Sequence, residues 1–146
     1  MMEGRMIGLD IGEARTGVAI SDELGMFAST LDTVHMSDPK ADALAIKAIV
    51  DEQQAILIVA GLPLNQNGEV GPQAEKVLAF IEEIKAVTEV EVVTQDERFS
   101  TQASHRILIA NNINAKKRKK IIDTVSATQI LQLYMDRQAN IRKREG

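Results

Sequence analysis

Apolar positions in the first third of the chain come in short bursts. Arg5 to Ile11 is largely apolar and stops at Gly12; Thr16 to Ile20 alternates and stops at Ser21-Asp22; Met26 to Val34 follows a turn at Glu23-Leu24-Gly25 and mixes threonines with apolar residues. Bursts of this length between turn residues predict three short strands joined as a meander. At Asp38-Pro39 the rhythm becomes helical, with Asp38 or Ser37 as cap, Pro39 in the first turn, and Ala43, Ile46, Ile49 and Val50 at helical spacing as far as about Gln54. Ala55 to Ala60 is a continuous apolar run, too short for a helix and rich in Ile and Val, which predicts a strand buried on both faces as in parallel sheets.

Beyond a polar loop at 61–71, Pro72 opens a second helix with the stripe Ala74, Val77, Ile81 and Ile84, and Val90 to Gln95 reads as a fifth strand. Ser100 or Thr101 caps a third helix, with Ala103, Ile107 and Leu108 inward, and a basic run opens a last helix from Lys117 to about Arg137. The order β-β-β-α-β-α-β-α-α predicts an α/β fold. Its sheet is five-stranded and mixed, three meander strands plus two parallel ones, flanked by helices. Without an internal repeat, a low-complexity segment or a linker, residues 1–138 read as a single domain and 139–146 as a basic C-terminal tail with a frayed end.

Length and composition narrow the chemistry. A chain of 146 residues can bury roughly two-thirds of its unfolded surface, so its core needs no staples. Zero cysteines exclude a disulfide scaffold, a thiolate zinc site and a cysteine nucleophile, and fit a reducing cytosol. His35 and His105 are too few for a histidine cage, so any metal would be held by oxygen. Glu3 and Asp10 come before any apolar run long enough for a signal segment, and no stretch nears the roughly 18 apolar residues of a membrane span. The expectation is a soluble cytoplasmic protein with no membrane partner. The net charge of −4 hides a division: residues 1–97 carry 6 Lys/Arg against 18 Asp/Glu, and residues 98–146 carry 11 against 3. A basic last third on an acidic protein suggests one face that meets polyanions, the alternative being a solvated basic helix.

Three places carry acids where chemistry is expected. Asp10, flanked by Gly8 and Gly12, closes a buried strand at the sheet edge where open α/β sheets place ligands, although Asp and Gly also make plain turns. Asp96 and Glu97 follow the fifth strand; neighbours on a strand point to opposite faces, so one of the two reaches the site and the pattern leaves open which. An acid there also suits a helix N-terminus. Asp123 begins a helical stripe continued by Ala127, Ile130 and Tyr134, where a carboxylate needs a cation, a metal or a neighbouring Lys119 or Lys120. Such acids converging form an all-oxygen site for Mg²⁺ or Mn²⁺, capable of phosphodiester hydrolysis. Lys116, Lys117, Arg118, Lys119 and Lys120 would hold the polyanionic backbone against it.

Four segments taken in order, GLDIGEARTGVAISD (8–22), GLPLNQNGEVGPQA (61–74), DERFST (96–101) and KKRKKIIDTVSATQILQLYMD (116–136), resemble the YqgF family, also called the RuvX or pre-16S rRNA nuclease family, with Holliday junction resolvase-like proteins as relatives. The resemblance implies a ribonuclease H-like fold and a metal-dependent endonuclease acting on structured nucleic acid, with the 5′ end of pre-16S rRNA as favoured substrate and the pre-ribosomal particle as a partner. It carries the acidic positions onto Asp10, the Asp96-Glu97 pair, with Glu97 preferred, and Asp123. Arg15, Arg98 and the basic cluster fall on positions expected to touch phosphates. One departure stands out: the fourth strand ends in Gly61-Leu62-Pro63, where junction resolvases carry an acid, and the second carboxylate has moved to the next strand.

Rival readings are a resolvase of four-way DNA, a non-catalytic nucleic-acid or ribosome-binding module, and, from Asp10-Ile11-Gly12, the phosphate turn of sugar kinases and actin-like ATPases. The last needs two such domains, and this chain supplies one. Few aromatic residues argue against recognition by base stacking. His105 is a candidate proton shuttle, and the sequence is equally consistent with a monomer and a homodimer.

Overall fold

The computed structural model describes residues 4–97 and 115–145, with side chains described over 4–97 and 125–141. Strands β1 (Arg5–Ile11), β2 (Arg15–Ser21) and β3 (Ala28–His35) form the meander. Helix α1 (Pro39–Gln53), β4 (Ala55–Leu62), α2 (Pro72–Val87) and β5 (Glu91–Asp96) alternate after it, followed by α3 (Ala115–Glu145). The sheet order is β3-β2-β1-β4-β5. β1 pairs antiparallel with β2 and parallel with β4, β2 pairs antiparallel with β3, and β4 parallel with β5. The five-stranded mixed sheet expected from the sequence is therefore the one observed.

Local chemistry explains the element ends. Asp38 caps α1 by accepting from the Ala41 amide at 3.1 Å, while Asp42 reaches back to accept from the Ser37 amide at 2.9 Å. This reciprocal arrangement satisfies donors that the first turn leaves open. Pro39 sits in that turn, and the helix ends at Gln54 in a left-handed conformation, φ 54°. Pro72 opens α2 in the same way.

Alternation along the strands divides the core into two layers. Ile7, Leu9, Val18, Ile20 and Ile58 pack against α1 and α2, including Ile46, Val50 and Ile84. Ala19, Leu57 and Val59 pack on the other face against Ala127, Ile130, Leu131 and Met135 of α3. Gly8 fixes how close α3 comes: a β-carbon there would lie 2.7 Å from Leu131 Cβ and 2.9 Å from the Ala127 carbonyl oxygen. Met6, two residues earlier, belongs to the cluster with Met135, so α3 runs antiparallel to β1 and its first turns reach the carboxyl end of that strand. Gln132 ties this helix to the β2–β3 hairpin, accepting from the Ala28 amide and donating to the Met26 carbonyl, both at 2.9 Å.

One sequence expectation changes. The last helix does not stop near Arg137 but continues to Glu145, so most of the supposed tail is helical. Nothing between Gln138 and Glu145 is a Gly or Pro, and Gln, Ala, Arg and Lys are good helix formers. The expected third helix, with its Ser100 or Thr101 cap, lies outside the described residues. The close seat of α3 on Gly8 makes Gly8→Val destabilising by about 2 kcal/mol or more, since the overlap is with backbone as well as side chain. Urea unfolding of the two proteins checks it.

Candidate functional site

The site is built on the α3 face of the sheet at the carboxyl ends of β1, β4 and β5. Asp10 lies two residues beyond Gly8 and so shares the face that α3 covers. Its neighbours in the sheet are unusual. The register sets Gly17 of β2 opposite Asp10. On the other side the β1–β4 ladder reaches Leu9 beside Ala60, so one step further sets Gly61 beside Asp10. A half-buried carboxylate thus stands between two strand positions that have no side chain, a hollow in the otherwise filled surface of the sheet.

The second carboxylate enters that hollow from β5. Gln95 pairs with Gly61 and Asp96 with Leu62, and the Glu97 amide donates to the Leu62 carbonyl at 3.3 Å, carrying the ladder one residue further. Val93 packs in the α3 layer and Val92 in the other, so alternation sends Gln95 and Glu97 toward α3 and Asp96 toward α1 and α2. A β-carbon on Gly61 would overlap both Glu97 Oε2 and Ile130 Cδ1. The Glu97 carboxylate therefore lies over Gly61, in the row that contains Asp10. Burial pushes its carboxyl up to about 7, and the negative charge of Asp96 adds to the rise.

Arg15 stands two residues from Gly17 on β2 and so lies on the Asp10 face; His35 of β3 is its cross-strand partner on that face and is exposed. Asp123 belongs to α3, one turn before the fully buried Ala127. The side chains of Asp123 and Lys116, Lys117, Arg118, Lys119 and Lys120, together with Arg98 and His105, lie outside the described residues. Among the described residues no three acidic or histidine side chains come together. A groove of 530 Å³ lined by Glu13, Lys76, Val77 and Phe80 opens against α2. It begins at Ile11 and Gly12, just after Asp10, but opens on the α1–α2 face of the sheet, opposite to the face that Asp10 and Glu97 share.

Sequence reasoning named Asp10 and the Asp96-Glu97 pair, of which the structure sets Asp10 and Glu97 on one face, but passed over Gly17 and Gly61 as their neighbours. The available signal was a glycine inside a strand, which marks close approach of another group. It also passed over His35 as the partner of Arg15.

Residues 4–137 match the family described as RuvX: Holliday junction resolvase. The chain belongs to the RuvX family. A relative from Clostridioides difficile (strain 630), named as a pre-16S rRNA nuclease, is 45% identical over 140 residues, covering 96% of this chain and 99% of its own. Another of the same name from Clostridium novyi (strain NT) is 45% identical over 132 residues, covering 90% and 98%. Among solved structures, Thermus thermophilus RuvC in complex with a Holliday junction substrate superposes with TM-score 0.53 at 14% identity, covering 87% of this chain and 91% of that one. The fowlpox virus Holliday junction resolvase gives 0.51 at 16%, covering 92% and 99%. At such identities these likenesses establish the ribonuclease H-like fold of this RuvX-family chain.

The raised carboxyl has a consequence for stability in the metal-free protein. As pH rises, unfolded Glu97 ionises first, around 4.5, while folded Glu97 keeps its proton to about 7. The folded state therefore binds more protons across that window and loses stability as pH climbs through it. At about 1.4 kcal/mol per unit, the Glu97 contribution amounts to up to ~3 kcal/mol. Urea unfolding in chelator at pH 5 and pH 7.5 should show a smaller loss of stability in Glu97→Gln than in the parent. Equal losses would show that Glu97 is not the buried acid.

Proposed function

We propose that this RuvX-family chain is a divalent-metal-dependent endonuclease that hydrolyses phosphodiester bonds of structured nucleic acid, with the 5′ end of pre-16S rRNA as its substrate and the cytoplasm as its place of work. The observation that carries the reading is the Glu97 carboxylate lying over Gly61 in the row of Asp10. Two carboxylates gathered in a hollow between glycines make a donor set of hard oxygens, which fits Mg²⁺ or Mn²⁺ and suits no softer metal. Asp10, Glu97 and Asp123 are the residues that would hold it. When bound, such a cation supplies positive charge at the reacting phosphate and acidifies the attacking water.

The chain's own residues then have separate tasks. Asp10 sits in a sheet ladder and Glu97 directly follows one, so the backbone brings both residues to one corner before substrate arrives. Arg15, on the same face, would take a phosphate beside the scissile one, and Arg98 follows Glu97 directly. The direction of α3 supports a role for the basic run: Lys116 to Lys120 open the helix at the end of the sheet that carries the acids. A single copy holds every proposed ligand, so a monomer suffices for cutting one strand, whereas a symmetric four-way DNA would ask for a homodimer. The pre-ribosomal particle is the partner this substrate implies. Among the described residues no helix is long and apolar enough to cross a membrane.

Purified protein should cleave a pre-16S rRNA fragment with Mn²⁺ or Mg²⁺ and not in chelator. Asp10→Asn, Glu97→Gln and Asp123→Asn, each folded like the parent by circular dichroism, should lower the rate at least about a hundredfold, the upper end of the loss expected even from an outer-shell partner. Variants that cut like the parent would show that the activity came from a contaminant or that these acids do not carry it, and a parent that binds the fragment without cutting it would leave a binding module. A four-way DNA junction assayed alongside, cut in preference, would move the substrate to branched DNA. Replacing Lys117, Arg118 and Lys119 by alanine should weaken binding and flatten its dependence on salt, by roughly 0.7–0.9 in the log–log slope for each phosphate that no longer has a basic partner.

A further inference from the structure

Ser126 is fully buried in the interface between α3 and the sheet. Its Oγ has no hydrogen-bond partner among the described residues. Leaving a buried hydroxyl in that state is unfavourable, and serine is also a poorer helix former than alanine. Packing alone would favour alanine here, as at the adjacent Ala127.

The location explains what the hydroxyl serves. Ser126 lies one turn before Ile130, on the same stripe of α3. The Ile130 Cδ1 tip shares the space over Gly61 with Glu97 Oε2. Helical side chains lean toward the N-terminus of their helix, so the Ile130 tip, and the carboxylate beside it, lie under the turn that carries Ser126. Gln95, the other buried polar side chain on this side of β5, has its Nε2 directed to the Asp96 carbonyl at 3.3 Å. That leaves the Ser126 hydroxyl as a donor that the helix contributes to this corner.

We infer that Ser126 is a positioning residue for Glu97, its hydroxyl donating to the Glu97 carboxylate when that carboxylate holds a divalent cation. The inference rests on the metal-holding role proposed above for Glu97. Ser126 touches neither substrate nor cation; it fixes the direction in which the carboxylate presents its other lone pairs. Ligands of this kind are commonly oriented by an outer hydrogen bond, whose loss weakens metal binding about 10–100-fold.

The test is Mn²⁺ titration of the full chain by calorimetry, with thermal melting of the same samples in chelator, for the parent and Ser126→Ala. The expected result has two opposite signs: Ser126→Ala melts at or above the parent without metal, yet binds Mn²⁺ at least about tenfold more weakly. If Ser126→Ala binds Mn²⁺ as tightly as the parent, the inference fails and the metal reading stands. A variant that melts well below the parent in chelator also overturns it, because the hydroxyl would then serve the fold itself. A parent that binds no Mn²⁺ overturns the metal reading and this inference together.

Discussion

Helix α3 approaches the sheet over Gly8 and Gly61, strand positions that carry no side chain, and that approach governs everything on this face. A β-carbon at Gly8 would run into the helix at Leu131 and Ala127, and one at Gly61 would displace Glu97 and Ile130. Close seating of the helix shields Glu97 Oε2 in the corner beneath it from solvent. A carboxylate put in that corner is expensive to ionise, and its carboxyl rises to about 7 for that reason. The same absence of side chains thus creates the packing and the electrostatic tension.

That tension has a direction. Residues 1–97 carry 18 acids against 6 bases, and the site sits on the acidic part of the chain. An approaching polyanion is repelled there unless positive charge comes with it or is supplied nearby. Two sources are available to the proposed nuclease: a divalent cation between the acids, and the excess of Lys and Arg in residues 98–146. Such a cation would relieve the cost of ionising Glu97, and the bases that open α3 would offset the repulsion of the backbone. Neither would serve without the other.

Much of the framework was legible because binary patterning decides it. The meander, the two-sided burial of Ala55 to Ala60 and the Pro39 and Pro72 helix starts all follow from local periodicity and caps, and the structure has them within two residues or so at most ends. What could not be read was any property that depends on which strands become neighbours. Alternation established that Asp96 and Glu97 part to opposite faces, but only the register of β5 on β4, with Gln95 beside Gly61, and the seat of α3 decide which acid shares the Asp10 face. The hollow around Asp10 was hidden for the same reason: Gly17 and Gly61 are far apart in sequence and become its flanks only through pairing. The C-terminal helix ran past its expected end because a charged, breaker-free segment gives no stop signal, and tails of that composition read alike whether helical or frayed.

β4 carries no acid of its own, yet a carboxylate lies over it, and the geometry explains how. Neighbouring strands are about 4.8 Å apart, a span that a glutamate side chain crosses. Glu97 leaves the backbone at the end of β5, yet its Oε2 lies where a side chain on Gly61 would begin. The carboxylate therefore arrives over β4 although it is not encoded there. This solution imposes a condition that an acid on β4 would not: residue 61 must stay without a β-carbon, and Ile130 must share the vacancy. Gly61 and Glu97 thus act as one unit, a vacancy on one strand and a side chain from the next that fills it. A change at either position is felt at the carboxylate before it is felt in the fold, because the groups that would collide are side-chain tips rather than backbone.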